Sequence, residues 1–158
     1  MMHPLRSIFG FFGIAPRQPI SYASNVTDFI AALKSVAADV GQGDYAFTSA
    51  DGKKQGFVQF IVRSDRKLSI HRIWAHEPKK GNGTAIMRAL CEFADRHAVE
   101  LTLKALPFGR KPFPMSREQL KAWYQRYGFK GARWKMSRAP AGEGRQQNAD
   151  QPRDNQFV

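Results

Sequence analysis

A short run with two lysines and two glycines is the part of the sequence best suited to holding an anion. It reads Lys79-Lys80-Gly81-Asn82-Gly83-Thr84 and lies where a predicted strand ends and a predicted helix begins. Glycines let the backbone approach a ligand closely, the free N–H groups of a helix N-terminus attract negative charge, and lysines neutralise it. The run therefore predicts a phosphate site, although two glycines at this spacing are as typical of a plain tight turn with solvated lysines.

Two common phosphate motifs do not fit this run. A Walker loop needs Gly-x-x-x-x-Gly-Lys-Ser/Thr, which the chain lacks here. A dinucleotide fingerprint needs a third glycine three residues after Gly83, where Ile86 stands. The anion would therefore belong to another kind of ligand.

A second motif, Trp123-Tyr124-Gln125-Arg126-Tyr127-Gly128-Phe129, indicates which kind. With it, the chain over residues 56–137 resembles the GCN5-related N-acetyltransferases. Their acetyl-CoA loop reads Arg/Gln-x-x-Gly-x-Gly/Ala, matched here by residues 78–83, and their late helix ends in an aromatic-Tyr-x-x-x-Gly-Phe pattern. Small phage and prophage members look similar in the proline-rich loop and the helix start that follow.

The resemblance implies an acetyl-CoA cosubstrate and a role for each matching residue. The strand end Ile73-Trp74-Ala75 would splay from its neighbour and bind pantetheine, while Gly81, Asn82, Gly83 and Thr84, helped by Lys79 and Lys80, would hold the pyrophosphate. Tyr124 would give a proton to the departing CoA thiolate, although a tyrosine beside Trp123 on a packed helix is often simply a core residue. Pro78 replaces the family's Arg or Gln, and Arg117 replaces an asparagine often found before the tyrosine.

The residues that surround these motifs leave the general base open. His71, His76 and Glu77 are candidates near the loop, and water is the alternative. No histidine or cysteine spacing predicts a metal site. Cys91, the single cysteine, excludes an internal disulfide and is expected to be a small buried residue, which disfavours a covalent acetyl-enzyme.

The elements that must position the motifs predict a single α/β (α+β) domain with a mixed, mostly antiparallel sheet flanked by helices. Asn25 can cap a helix whose stripe is Phe29, Leu33, Val36 and Val40, with residues 41–43 ending it. The other helices and strands are predicted from alternating and β-branched runs, from glycines that end elements, and from a Ser116–Gln119 capping box. The further elements are strands at 45–49, 56–63 and 67–74, a helix at 81–97, a strand at 101–106, a helix after Ser116 with Leu120, Trp123 and Tyr127 inside, and a strand at 129–137.

Composition divides the chain of 158 residues into three parts. Residues 1–20 are expected to be a flexible extension, 21–138 the acetyltransferase-like domain and 139–158 a disordered tail. The apolar stretch Ser7–Ala15 superficially resembles a signal peptide, but two glycines interrupt it and Pro16-Arg17 follows. No apolar run is long enough to span a membrane, and a cytoplasmic location is expected.

A formal net charge of +12 favours anionic partners. Residues 139–158 hold two arginines against three acidic residues, so the positive charge belongs to the rest of the chain. The preferred function is transfer of acetyl from acetyl-CoA to a primary amine, on a protein or small molecule, by direct attack in a ternary complex. The alternatives are a basic nucleic-acid-binding module and a CoA-binding protein without catalysis. The positive charge of the chain would favour an acceptor amine on an acidic protein. Segments 24–50 and 107–116 would contain the residues that select the acceptor.

Overall fold

The structure, a computed structural model, describes residues 25–109 and 115–142. The helices are α1 (Asn25–Leu33), α2 (Asn82–Arg96) and α3 (Arg117–Gln125), and the strands are β1 (Ala37–Gly41), β2 (Asp44–Thr48), β3 (Lys54–Ser64), β4 (Lys67–Ala75), β5 (Glu100–Lys104) and β6 (Lys135–Arg138). The six strands form one sheet in sequence order. Only β4 and β5 are parallel to each other, and every other neighbouring pair is antiparallel. The predicted mixed, mostly antiparallel sheet is confirmed.

The hydrophobic core lies between one face of this sheet and the helices. Strand residues alternate, so that every second side chain is buried against the helices. Phe29 of α1 contacts Phe60 of β3 and Phe93 of α2 edge-on, with ring centroids 5.8 and 6.4 Å apart. The buried strand residues of the sheet's centre are Val58, Phe60, Leu68, Ile70, Leu101, Leu103 and Met136. We call the opposite face of the sheet the outer face.

The predicted helix after the glycine run is confirmed. It begins after Gly81 and ends before His97, and the expected stripe of Ile86, Leu90, Phe93 and Ala94 is buried. The capping box that starts α3 is also formed, because the side chains of Ser116 and Gln119 each bond the other's backbone N–H. The glycine run was sufficient to predict the start of α2, and the Ser116–Gln119 capping box that of α3.

The predicted length of the first helix is wrong. α1 ends at Leu33, and the chain turns at 34–36 into β1, which pairs antiparallel with β2. Val36 and Val40, which matched the helical spacing, are exposed. Residues 41–43 do not end a helix but form the hairpin turn, with positive φ at all three. The pairing of β1 with β2 therefore determines the structure of residues 37–41, and the helical spacing of Val36 and Val40 does not.

The last strand is shorter than predicted. β6 covers Lys135–Arg138 only, whereas the segment before it folds back so that Lys130 and Ser137 exchange two backbone hydrogen bonds of 2.8 Å. Phe129 enters the core with 1% exposure. Residues 131–134, between Lys130 and β6, make a turn rather than a strand.

The predicted extension 1–20 and residues 143–158 of the predicted tail lie outside the described residues. Residues 139–142 contact the body, since Ala141 N donates a 2.7 Å hydrogen bond to Asp95 Oδ1. None of the described helices is long and apolar enough to cross a membrane.

One ion pair joins α2 to the end of the sheet and to the turn after α3. Arg138 donates two 2.7 Å hydrogen bonds to the carboxylate of Asp95 and one of 2.8 Å to the carbonyl of Tyr127. Burial alone would raise the pKa of Asp95, but the hydrogen bonds from Arg138 and Ala141 hold it below its usual value. The pair therefore stabilises the folded chain while Asp95 is ionised.

We expect Asp95→Asn to lower the free energy of unfolding by about 2 kcal/mol at neutral pH, because a mostly buried Arg138 loses a charged partner. A carboxyl whose pKa is lowered by folding stabilises the fold above its unfolded pKa and loses that effect as pH falls through the folded value. The difference between variant and parent should therefore shrink below about pH 4. Urea unfolding at several pH values measures this difference in the free energy of unfolding.

Glu92→Gln, which breaks the exposed Glu92–Arg96 pair on the same helix, is the control and should lower the free energy of unfolding by less than about 0.5 kcal/mol. Equal effects of the two variants would contradict the role given to Asp95.

Candidate functional site

A cleft of about 450 Å³ opens between the end of β4, the N-terminus of α2 and the inner side of α3. Its walls are mainly apolar and include the N-terminal backbone of α2 and aromatic side chains of α3. The lining residues are Ile73, Trp74, Ala75, Pro78, Lys79, Gly81, Gly83, Thr84, Pro107, Phe108, Gly109, Met115, Leu120, Trp123 and Tyr124. Both sequence motifs thus contribute to one cavity.

The cleft exists because β4 and β5 separate. Their parallel pairing runs from Lys67 to Ile70 on β4 and goes no further. Beyond it, the chain after β5 stays with the β6 side, where Ala105 N donates a 2.8 Å hydrogen bond to the carbonyl of Trp134. The end of β4 remains paired with β3 through Ala75. The edge of Ile73–Ala75 that faces β5 is thereby left without a strand partner among the described residues.

The N-terminus of α2 provides the polar end of the cleft. Gly81 has a left-handed backbone (φ 83°), and in the described part of the chain no side chain caps the helix. The first N–H groups of an α-helix have no partner within the helix, and together they carry partial positive charge. Lys79, also left-handed at φ 68°, adds a full charge beside them. This end of the cleft can bind a phosphate group.

Gly83 of α2 lies close to Trp123 of α3. A Cβ atom built at this glycine would lie 3.6 Å from the Cβ of Ala75 and 3.6 Å from the ring of Trp123, which are ordinary contact distances. A methyl group fits there, whereas a longer side chain must enter the cleft or displace the Trp123 ring. Gly83 therefore keeps the cleft open.

Tyr124 forms the floor of the cleft on the α3 side. It is 5% exposed, and its ring lies against Trp123 and Phe129 with centroids 4.9 and 5.8 Å away. Among residues 25–109 and 115–142, the Tyr124 hydroxyl has no hydrogen-bond partner. Burial raises the pKa of Tyr124 well above its usual range, so the hydroxyl keeps its proton at neutral pH. The cleft is therefore lined by a tyrosine that keeps its proton, and its hydroxyl has no partner among the described residues.

The structure brings most of the predicted site residues into this cleft. Its lining includes the predicted residues Ile73, Trp74, Ala75, Lys79, Gly81, Gly83, Thr84 and Tyr124. Lys80 and Asn82 lie outside the lining. The Asn82 side chain instead donates a 2.5 Å hydrogen bond to the carbonyl of His76, which closes the loop before α2.

None of the candidate bases lines the cleft. His71, His76 and Glu77 are all exposed, and His71 is the extra residue of a bulge in β4. His76 contacts Trp74 on the loop, with ring centroids 5.6 Å apart. The described residues thus offer no histidine or carboxylate inside the cavity to remove a proton.

Cys91 faces the core from α2 and lies outside the cleft lining. Burial raises its pKa to about 11, so it is a neutral thiol and no nucleophile. Within the described ranges, no cluster of three or more metal-ligating side chains occurs.

Part of the cleft wall was missed by the sequence motifs. Pro107, Phe108 and Gly109 of the proline-rich loop line it, as do Met115, which follows that loop, and Leu120, which was predicted only to face inward from α3. The sequence signals for this wall were the inner face predicted for the helix after Ser116, which includes Leu120, and the loop at 107–114, which was expected to help select the acceptor. Residues 110–114 lie outside the described part of the chain.

Comparison with known proteins gives fold likeness only. No family model and no curated protein matches this chain. Among solved structures, the anti-CRISPR protein AcrVA5 is 15% identical with a TM-score of 0.47, over 60% of this chain and 97% of that one. GCN5 from Tetrahymena is 11% identical with a TM-score of 0.43, over 61% and 66%. An acyl-CoA N-acyltransferase from Pseudomonas aeruginosa is 18% identical with a TM-score of 0.44, over 75% and 89%.

At these identities and TM-scores the likeness carries no argument about activity. GCN5 is the protein after which the family that the two motifs resemble is named.

Proposed function

We propose that the cleft binds acetyl-CoA and transfers its acetyl group to a primary amine. The observation that supports this most is the meeting of three unlike groups in one cavity. They are the uncapped N-terminus of α2, the edge of β4 that has no strand partner among the described residues, and Tyr124 with its protonated hydroxyl. A phosphate, an amide-containing arm and a thioester are the three parts of acetyl-CoA that such groups suit.

The unpaired edge of Ile73–Ala75 supports the binding of the pantetheine arm. Backbone N–H and C=O groups without a strand partner gain by pairing with the amides of an extended ligand, much as an added strand would. The uncapped turn at Gly81–Thr84 would then hold the pyrophosphate, with Lys79 neutralising part of its charge. Pro78 lines the cleft at the family's Arg or Gln position and has no donor, so backbone groups and Lys79 must supply these contacts.

The proposed reaction is a direct attack. The neutral amine adds to the thioester carbonyl, a C–N bond forms, the C–S bond breaks, and CoA leaves as a thiolate. The nitrogen loses one proton to water, because the described residues place no base in the cavity. The sulfur gains one proton, so the products are an amide and CoA thiol. Cys91 takes no part, which agrees with a single transfer step.

Tyr124 is proposed to donate toward the sulfur. Its raised pKa means that a buried phenolate is unfavourable, while a thiol ordinarily has a pKa of about 8.5. The hydroxyl therefore acts first as a hydrogen-bond donor that stabilises the developing thiolate. Complete proton transfer requires that Tyr124 regain a proton from water in the same step. This donor is aimed at charge that appears only as the C–S bond breaks, so it lowers the reaction barrier more than it tightens binding.

Calorimetric titration of the full chain tests the proposal against its main rival. We expect acetyl-CoA and CoA to bind with one site per chain, and duplex DNA to bind weakly or not at all at physiological salt. The rival, a nucleic-acid-binding module, is supported by the net charge of +12 and by basic residues interleaved with Trp74, Trp134 and Tyr127. No heat with CoA, together with DNA binding that weakens steeply as salt rises, would overturn the proposal.

A further inference from the structure

The outer face of the sheet is left uncovered by every described helix. The strand residues that alternate with the buried ones point to this side, and they are half-buried or exposed. Pairing places Arg72 and Trp74 of β4 beside Gln59 and Phe57 of β3 on this face. The Trp74 ring is stacked on Phe57 with centroids 5.7 Å apart, and the residue is 43% exposed. The gap between β4 and β5 therefore opens onto a surface with an exposed aromatic group.

Cations lie on both sides of this gap. On β5, Lys104 follows the last residue paired with β4, and it faces Lys135 on the neighbouring β6. On β4, Arg72 lies two residues beyond the same point, after the bulge. Directly paired residues on adjacent strands have Cβ atoms about 5 Å apart, so Lys104 and Lys135 bring two positive charges to the same part of the outer face.

These three cations have no carboxylate partner in the part of the chain that the structure describes. The strand register places two acidic residues, Glu100 and Asp44, on the outer face. Glu100 forms an ion pair of 2.9 Å with Lys67, and Asp44 lies two strands away from Arg72. Three like charges around one opening repel one another, and a bound anion would relieve that repulsion.

We propose that the acceptor is an acidic peptide segment that reaches the cleft from the outer face, held by Arg72, Lys104 and Lys135. This inference rests on the proposed acetyl transfer. A peptide fits better than a nucleic acid because attack on a thioester needs a basic amine, and the exocyclic amines of nucleobases have lone pairs delocalised into the ring. Carboxylates beside the reacting amine would meet the three cations, and an apolar side chain of the peptide could cover Trp74.

The test uses three peptides with one amine each and equal length, flanked by acidic, neutral or basic residues. Binding is measured by fluorescence anisotropy with the full chain in the presence of CoA, and transfer is measured separately by thiol release. We expect the acidic peptide to bind most tightly and its advantage to fall as salt rises above about 0.1 M, where charges are screened within about 10 Å. Lys104→Gln/Lys135→Gln should raise the Kd for the acidic peptide about 3- to 10-fold, with little change for the neutral one.

The control is Arg63→Gln/Arg88→Gln, which removes the same amount of charge from the far end of β3 and from the exposed side of α2. Equal binding of all three peptides, or equal effects of the two double variants, would overturn the inference. Tighter binding of a single-stranded oligonucleotide, lost in Lys104→Gln/Lys135→Gln, would overturn it in favour of nucleic acid. Because binding is read without turnover, selective peptide binding without thiol release would count against the proposed reaction and leave the acidic-peptide surface standing.

Discussion

Tyr124→Phe should lower kcat for acetyl transfer by about 10²- to 10⁴-fold, the range typical of losing a proton donor. The change keeps the ring against Trp123 and Phe129 and removes only the hydroxyl, for which the described residues provide no partner. The Kd for CoA should be nearly unchanged, because the hydroxyl is proposed to meet charge that appears only in the transition state. Steady-state kinetics and a CoA titration on the same preparation measure both quantities.

The matched control is Tyr127→Phe, one turn along the same region. The Tyr127 ring also contacts Trp123, with centroids 5.1 Å apart, but the residue is outside the cleft lining. We expect turnover close to that of the parent. If Tyr124→Phe turned over like Tyr127→Phe, Tyr124 would be a core aromatic only, and the proton would have to come from water.

Gly83→Leu should abolish the stabilisation of the chain by acetyl-CoA. A ligand that binds only the folded state adds about 2.7 kcal/mol at a hundredfold excess over its Kd. The leucine side chain would fill the space between Ala75 and the Trp123 ring, where a Cβ atom already makes contacts of 3.6 Å. Thermal unfolding with and without acetyl-CoA measures the loss as a missing rise in Tm.

Gly83→Ala is the control that distinguishes a side chain blocking the cleft from a substitution that destabilises the fold. Alanine adds only the Cβ atom and favours the helix by up to about 1 kcal/mol, so its Tm without ligand should not fall. It should retain a rise in Tm with acetyl-CoA. A full rise in Gly83→Leu, with a normal unliganded Tm, would remove this end of the cleft from the binding site.

Elements with strong local chemistry were predictable from the sequence, and elements decided by pairing were not. The Ser116–Gln119 box and the stripe of α2 depend on residues a few positions apart, and both are present in the structure. Val36 and Val40 matched a helical period equally well, but Val40 lies in the edge strand β1 and Val36 directly precedes it. The pairing of β1 with β2 decides this, and it is a contact between residues that are several positions apart in the sequence. A single sequence contains no local signal for that competition.

The same limit applies to the cleft. Its motif residues were found because glycines, lysines and a tyrosine at set spacings have a recognisable chemistry. Phe108 and Met115 were not singled out, since their place in the wall follows from how the chain returns after β5. Asn82 shows a further limit: its position in the motif was predicted, but its side chain bonds to the carbonyl of His76.

The most direct test of the central claim is the mass of an amine acceptor after incubation with acetyl-CoA and the full chain, measured alongside released thiol. A panel of peptide amines, polyamines and amino sugars covers the acceptor classes. We predict one added acetyl group on the amine and an equal amount of CoA thiol, both formed about 10²- to 10⁴-fold more slowly with Tyr124→Phe. Tight CoA binding with no thiol release on any amine would show a protein that binds CoA without catalysis and would contradict the proposed reaction.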